Sequence, residues 1–99
     1  MMTRRQLIIK LLTENKNPLS LDYIADEIFI DKKTVIEDLS HIAKTLKGKG
    51  KFQLVMLPPQ CKVCGFVFKG LKKPKYPSKC PKCKKEKIIP PKFKIKEIK

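Results

Sequence analysis

The sequence predicts an α+β fold, and three observations lead to this prediction. Apolar residues recur at helical spacing in three segments of the first half of the chain. Phe52–Leu57 and residues 92–99 instead carry patterns that are typical of strands. All four cysteines lie between these two strands, in two Cys-x-x-Cys pairs. Three helices followed by two strands indicate a three-helix winged helix-turn-helix, with the cysteine module inserted at the tip of its wing.

The domain boundaries are predicted from prolines, glycines and the change of period. Residues 1–57 contain the three helices and the first strand of the wing. Residues 58–91 form the cysteine module, which begins and ends with a Pro-Pro pair. Residues 92–99 form the returning wing strand, in which Phe93 and Ile95 alternate with lysines, so we expect this strand to pack on the first domain.

Each helix has a residue that can cap its N-terminus. Thr3 precedes the first helix, and Ser20 precedes the second. The third helix begins either after Asp31 or at Thr34, which could form a capping box with Glu37. The glycines after residue 47 end this helix.

The four cysteines are spaced as Cys-x2-Cys-x15-Cys-x2-Cys, which is typical of a four-thiolate zinc site. The predicted ligands are Cys61, Cys64, Cys80 and Cys83. Gly65, after the first pair, can take the positive φ that the turn requires. Four thiolates leave no open position on the ion, so one structural zinc is expected and the module is a zinc ribbon. Iron stays open as an alternative, because a tetrahedron of cysteines suits both metals.

Charge is distributed unevenly along the chain. The formal net charge is +15. Residues 1–50 carry nine basic and seven acidic side chains, whereas residues 51–99 carry fifteen lysines and two glutamates. A second half this basic predicts attraction to polyanions, nucleic acid first among them.

Several classes of protein are excluded by what the chain lacks. It has no apolar run near the ~20 residues that span a bilayer and no signal-peptide pattern, so we expect a cytoplasmic protein without a membrane partner. It is also not expected to be an enzyme. His41 is its single histidine, and no nucleophile-base set or phosphate-binding glycine loop is present.

Residues 19–28 and 31–39 resemble the helix-turn-helix of bacterial and archaeal winged-helix regulators. The matches are Ala25 in the first helix, then Asp31, Lys32-Lys33 and Thr34-Val35 at the start of the second. With the cysteine module, nearly the whole chain resembles archaeal predicted transcriptional regulators that fuse a winged helix to a rubredoxin-like zinc ribbon. This resemblance implies a DNA-binding fold and a structural metal. The turn departs from the family in carrying Phe29 where glycine is common.

The candidate nucleic-acid contacts lie on the third helix, in the wing and in the ribbon. The outer face of the helix, with Asp38 at its flank, carries two lysines and two carboxylates and is therefore neutral, although Glu37 could accept from cytosine N4. The predicted contacts on this helix are Lys32, Lys33, Thr34, Glu37, His41 and Lys44. Those of the wing and ribbon are Lys49, Lys51, Lys69, Lys72, Lys73 and Lys75.

Three functions are therefore weighed. The favoured one is a DNA-binding transcriptional regulator with structural zinc. The second is an adaptor that binds a protein of the transcription machinery and no DNA, which the mixed charge of the third helix would suit. The third is a rubredoxin-like electron carrier that holds iron. The DNA target, an effector ligand and the oligomeric state are not determined by the sequence.

Overall fold

The computed structural model describes residues 2–69 and 77–98. Three helices and two small antiparallel sheets make up this part of the chain. None of the described helices is long and apolar enough to cross a membrane. In chain order the elements are α1 (Arg4–Glu14), β1 (Leu19–Ser20), α2 (Leu21–Ile28), α3 (Lys32–Lys49), β2 (Phe52–Leu57), β3 (Gln60–Cys61), β4 (Ile88–Ile89) and β5 (Lys92–Glu97).

The predicted helix caps are confirmed. The Thr3 hydroxyl accepts from the backbone N–H of Gln6, and the Gln6 side chain accepts from the N–H of Thr3 in return. Ser20 caps α2. Of the two alternatives for α3, Asp31 is the cap: its carboxylate accepts from both the N–H and the hydroxyl of Thr34.

The C-terminal end of α3 lies two residues further along than the sequence predicted. Helical backbone continues to Lys49, and Gly50 ends the helix with a φ of 73°. Glycine takes this left-handed conformation without the clash that a Cβ would cause. Lys49, which the sequence placed in the wing, therefore lies in the last turn of α3.

Three strands form the larger sheet, in the order β1-β5-β2. The strands β2 and β5 are antiparallel neighbours, from the pair Phe52–Glu97 to the pair Leu57–Lys92. The short strand β1, which the sequence did not predict, pairs with the other edge of β5 through Leu19 and Phe93. The chain between β2 and β5 contains all four cysteines, so the ribbon extends from the end of this hairpin.

The core lies between the three helices and the inner face of the sheet. Phe93, on the central strand, is fully buried, and so are Ile8 of α1, Ile24 of α2 and Leu39 of α3. The alternation of Phe93 and Ile95 with lysines is thus confirmed as a strand with one buried face. Burial of such side chains is worth about 1.5–3 kcal/mol each relative to exposure.

The turn between α2 and α3 contains an unusual residue. Phe29 ends α2 with φ 55° and ψ 43°, a left-handed conformation that costs a non-glycine residue roughly 1–2 kcal/mol. Its side chain is 93% exposed, so packing within the described chain does not compensate for this strain. The turn thus has a left-handed backbone that glycine takes most readily, but it places a solvent-facing aromatic ring there.

The structure corrects the predicted position of Asp38. This carboxylate is only 1% exposed, because α3 presents it to the start of α1 and not to solvent. It accepts from Nε and Nη2 of Arg4, the latter at 3.0 Å, and from Nε of Arg5 at 3.1 Å. Hydrogen bonds from Arg4 and then Arg5 hold the pKa of Asp38 below its usual value, against the opposing effect of burial. Asp38 is therefore a link between α1 and α3.

We predict that Asp38→Asn lowers the free energy of unfolding at pH 7 by about 2 kcal/mol, since charge-assisted hydrogen bonds are lost. The folded-state pKa of Asp38 is lowered, so its contribution is complete above the unfolded-state pKa of about 3.9 and is lost as pH falls through the folded value. The difference between wild type and variant, measured by denaturant unfolding, should therefore shrink below pH 4. The exposed neighbour Glu37, changed to Gln, serves as the control. A pH-independent difference would contradict the prediction.

Candidate metal centre

The four cysteine sulfurs form one cluster. All four Sγ atoms lie within 4.8 Å of one another. The Sγ atoms of Cys61 and Cys83 are 3.5 Å apart, and so are those of Cys64 and Cys80. Four sulfurs bound tetrahedrally at about 2.3 Å from one ion would be about 3.8 Å apart. The cluster therefore has about the dimensions of a four-thiolate metal site.

Backbone hydrogen bonds hold each Cys-x-x-Cys turn in place. The N–H of Cys64 donates to Cys61 Sγ at 3.5 Å, and the N–H of Cys83 donates to Cys80 Sγ at the same distance. Each turn closes with an N–H bond to the carbonyl of its first cysteine, from Gly65 in one turn and from Lys84 in the other. The two turns thus present their sulfurs in the same way, and the described residues supply two equivalent halves of one site.

The residue after each turn is left-handed. Gly65 has a φ of 78°, as the sequence predicted, and Lys84 at the equivalent position has a φ of 62°. A Cβ at Gly65 would approach no atom closer than 4.0 Å, so space is not what requires glycine there. The backbone conformation favours glycine there, and Lys84 adopts the same conformation at a steric cost.

The rest of the ribbon is a small scaffold around these turns. Its two short strands pair through Gln60–Ile89 and Cys61–Ile88, and neither strand was predicted from the sequence. Phe66 and Phe68 pack edge to face, with ring centroids 5.1 Å apart, but both are only half-buried. With so little apolar burial among its described residues, we expect the ribbon to depend on the metal for its stability.

Two buried prolines join the ribbon to the rest of the chain. Pro59 accepts the N–H of Phe68, and Pro91 accepts the N–H of Leu21 at the start of α2, each at 3.0 Å. Both prolines are buried. The two ends of the ribbon are therefore fixed where it leaves the β2–β5 hairpin.

The electrostatics of the cluster favour a bound cation. The N–H of Cys64, as the largest cause, lowers the pKa of Cys61 to about 6. For Cys64, the backbone bond from Phe66 lowers the pKa, but desolvation and the three other sulfurs together raise it to about 12. Four thiolates this close repel one another without a positive charge between them. A divalent ion removes this repulsion and displaces the remaining protons.

The donor set defines what such an ion could do. Cys61 and Cys80 are buried, Cys83 is half-buried and Cys64 is exposed. Four sulfur ligands complete a tetrahedron and leave no position for water or substrate. The residues present therefore fit a structural ion of the zinc or iron type, as expected from the spacing of the cysteines.

Comparison with known families agrees with this geometry. Residues 3–55 match the family described as "PF0610-like, N-terminal", and residues 58–98 match the "PF0610 rubredoxin-like zinc beta-ribbon domain". The chain belongs to the PF0610-like family. The family's second description names zinc and a rubredoxin-like ribbon, which the four-cysteine cluster fits. Neither description mentions DNA or regulation, so that part of the resemblance stays a prediction.

One solved structure of this family is similar to nearly the whole chain. The solution NMR structure of protein PF0610 from Pyrococcus furiosus is 41% identical, with a TM-score of 0.74. The match covers 94% of this chain and 88% of that one. No curated protein matches the chain.

The structure distributes the predicted nucleic-acid residues over several surfaces. On α3, Lys33, Glu37, His41 and Lys44 are exposed. Thr34 is half-buried and donates its hydroxyl to Asp31. Lys32 lies 3.2 Å from a carboxylate oxygen of Asp22 on α2. Lys49, Lys51 and Lys69 are also exposed, but they do not belong to this face of α3. The other three predicted contacts lie outside the described residues: Lys72, Lys73 and Lys75.

Other exposed cations were missed by the sequence analysis. On β5, the exposed Lys92 and Lys96 and the half-buried Lys94 alternate with the buried residues and share the outer face of the hairpin, as the alternation in the sequence already indicates. Arg4 and Arg5 lie beside α3 through Asp38, which no local pattern could reveal. The lysines around the cysteine turns are also exposed: Lys62, Lys79, Lys82, Lys84, Lys85 and Lys87.

Removal of the metal with a chelator should unfold residues 58–91 and leave the three-helix core folded. The core residues pack without any cysteine, and a long disordered loop between β2 and β5 costs little more entropy than a short one. Amide hydrogen exchange should show lost protection in the ribbon and retained protection at Ile8 and Leu39. Cys80→Ser should act in the same way, with Ser78→Ala as the control.

Metal analysis of the purified protein should give one ion per chain, colourless for zinc and red for iron. The chelation prediction would be contradicted if α1–α3 unfolded when the metal is removed, or if the ribbon amides stayed fully protected from exchange without metal.

Lys84→Gly should stabilise the second cysteine turn, because it removes a left-handed non-glycine residue. The expected gain is about 1 kcal/mol, and Gly65→Ala should cost about as much in the first turn. Chelator competition measures both effects as changes in metal affinity. Lys85→Gly removes the same charge at a position without positive φ and should give no gain. Equal effects of the two lysine variants would show that charge and not backbone strain is responsible.

Proposed function

We propose that the chain is a DNA-binding transcriptional regulator of the winged helix-turn-helix type, with a structural metal in its ribbon and no catalytic role. The element order α1-β1-α2-α3-β2-β5 and the sheet order β1-β5-β2 support a winged helix. In this arrangement α2 and α3 are the helix-turn-helix pair, and α3 is the helix that would enter the major groove. The hairpin of β2 and β5 is the wing.

The observation that carries the proposal is the charge of the exposed surface. In the described part of the ribbon, every lysine is exposed and Glu86 is the single carboxylate. The outer face of β5 adds two exposed lysines, Lys92 and Lys96, with the half-buried Lys94 between them, and no carboxylate of β5 lies on this face. Neutralisation of DNA phosphates by such cations releases counterions and supplies much of the affinity of DNA-binding proteins.

Burial of Asp38 also changes the charge of α3. The sequence counted this carboxylate on the outer face, where it cancelled a lysine. Because Arg4 and Arg5 neutralise it in the interior, the exposed face keeps Lys33 and Lys44 against Glu37 alone. The face is therefore weakly positive, which lowers the electrostatic obstacle to approach of a phosphate backbone.

The proposed division of labour follows from general rules of DNA recognition. Lysines of the wing and ribbon contact phosphates, which fixes orientation but carries no sequence information. Side chains on α3 meet base edges: Glu37 can accept from cytosine N4, and His41 can donate or accept. A surface of this kind gives strong salt-dependent affinity and modest sequence selectivity.

A second function, a protein-binding adaptor, is favoured by one specific observation. Phe29 is a strained and almost fully exposed aromatic residue in the turn between α2 and α3. Aromatic side chains of this kind are enriched in protein interfaces. Under this proposal Phe29 would bind a partner protein, and the lysines would not contact DNA.

Binding to a random-sequence DNA duplex, measured by fluorescence anisotropy between about 50 and 200 mM salt, should separate these functions. If four or more phosphates are neutralised, log K should fall with log salt with a slope near −3.6 or steeper, about −0.9 for each phosphate. Lys33→Glu/Lys44→Glu should weaken binding by about tenfold or more, because both cations on the α3 face are reversed.

The matched control is Lys10→Glu on α1 combined with Lys16→Glu just after it, which changes the net charge by the same amount outside α3. If the two double variants bind equally, the lysines of α3 make no local contact and attraction is only by net charge. If the wild-type protein does not bind at about 50 mM salt, the DNA proposal is wrong and the adaptor function is favoured.

A further inference from the structure

We propose that Arg4 and Arg5 form a binding site for a backbone phosphate of DNA, and that Asp38 is the positioning residue of this site. The inference rests on the proposed DNA-binding function. Neither arginine lies in the ribbon, in the wing or on α3, where the other candidate contacts are found. Their site is at the beginning of α1, at the point where α1 meets α3.

Asp38 holds both guanidinium groups by their inner edges. It accepts from Nε and Nη2 of Arg4 and from Nε of Arg5. An arginine side chain has five N–H donors. Arg4 uses two of them on Asp38 and keeps three, and Arg5 uses one and keeps four. One carboxylate thus orients two cations, and the group keeps one net positive charge.

The remaining donors are accessible from solvent. The side chains of Arg4 and Arg5 are 43% and 50% exposed, whereas Asp38 is 1% exposed. An open recess in the surface is lined by Thr3, Arg4 and Arg5. An anion in this recess would meet the outer N–H groups of the guanidinium ions and would be screened by them from the buried carboxylate.

The position of the two arginines breaks a local rule of helix stability. The first turn of a helix favours acidic residues, because its free N–H groups carry partial positive charge. The first turn of α1 has no acidic residue and begins with two arginines. Positive charge therefore accumulates at this helix end, and a phosphate would relieve it. Local conflicts of this kind are expected where function competes with stability.

The pair also lies next to the proposed recognition helix. Asp38 is on α3, one turn away from Thr34 on one side and from His41 on the other. Asp31, the N-cap of α3, and Glu37 on α3 act electrostatically on Arg4 as well. A phosphate bound by the pair would thus lie beside the α3 face, where a contact fixes the register of that helix on the duplex.

Prior ordering by Asp38 makes arginine suitable for this role. The planar guanidinium can donate two parallel hydrogen bonds to a phosphate, which lysine cannot do. Side chains already held in one conformation lose less entropy on binding. Removal of Asp38 should therefore weaken DNA binding although it makes the chain more positive, which is the opposite of what net charge alone would cause.

The test measures the salt dependence of binding to a random-sequence duplex for five proteins, each checked for metal content and helicity below its unfolding temperature. They are wild type, Arg4→Gln/Arg5→Gln, Arg4→Lys/Arg5→Lys, Asp38→Asn and the control Lys10→Gln/Lys16→Gln. The glutamine variant of the arginines should lower the magnitude of the salt slope by about 0.9 to 1.8, for one or two phosphate contacts. The control Lys10→Gln/Lys16→Gln, which removes the same charge, should leave the salt slope unaltered.

The other two variants test the role of geometry. Arg4→Lys/Arg5→Lys keeps the charge and should weaken binding about fivefold, since paired donation and ordering are lost. Asp38→Asn should weaken it to a similar degree. If Arg4→Lys/Arg5→Lys binds DNA as tightly as wild type, or if Asp38→Asn binds it more tightly, the arginines contribute net charge alone and the inference is overturned.

Failure of the two proposals gives different results. A wild-type protein that does not bind DNA refutes the proposed function and this inference together. If the wild-type protein binds DNA but Arg4→Gln/Arg5→Gln and Lys10→Gln/Lys16→Gln have equal salt slopes, only the phosphate site is refuted. If the glutamine variant of the arginines does not fold, the lysine variant and Asp38→Asn still decide the question.

Discussion

The antiparallel pairing of β2 with β5 is the interaction on which both parts of the chain depend. β5 lies between β1 and β2, and its Phe93 is fully buried against the helices, so the helical core is incomplete without the last residues of the chain. The ribbon begins where β2 ends and finishes where β5 begins. Its two ends are therefore held together by the hairpin before any metal binds, which reduces the entropy that must be lost to bring the two cysteine pairs into one cluster.

The two parts of the chain are stabilised by different physical means. Apolar burial dominates in the helical part, where α1, α2, α3 and β5 all contribute fully buried side chains. The ribbon has few apolar residues to bury and so many lysines that their repulsion opposes folding. We expect metal-thiolate bonds to replace the missing core there. A domain stabilised in this way can carry a very basic surface, because its folding does not depend on that surface being neutral.

Features with a local cause were predictable from the sequence, and features that depend on distant partners were not. The caps Thr3, Ser20 and Asp31, the strand Phe52–Leu57 and the left-handed Gly65 each follow from a few neighbouring residues. The cysteine spacing likewise indicates a metal site directly. The burial of Asp38 depends on arginines 34 and 33 positions away, and helical periodicity alone placed it toward solvent. Strands of two residues, such as β1, β3 and β4, are too short to leave a periodic pattern.

The correction at Asp38 changes the argument about DNA more than any other difference. A neutral recognition face would require the ribbon and wing to supply all the attraction, with α3 indifferent to the phosphate backbone. With Asp38 paired with Arg4 and Arg5, the proposed recognition face keeps the exposed Lys33 and Lys44 against Glu37, a residue type that can accept a hydrogen bond from cytosine. Under the proposed DNA binding, these cations would offset the repulsion between Glu37 and phosphate, so that its carboxylate could contribute to base recognition.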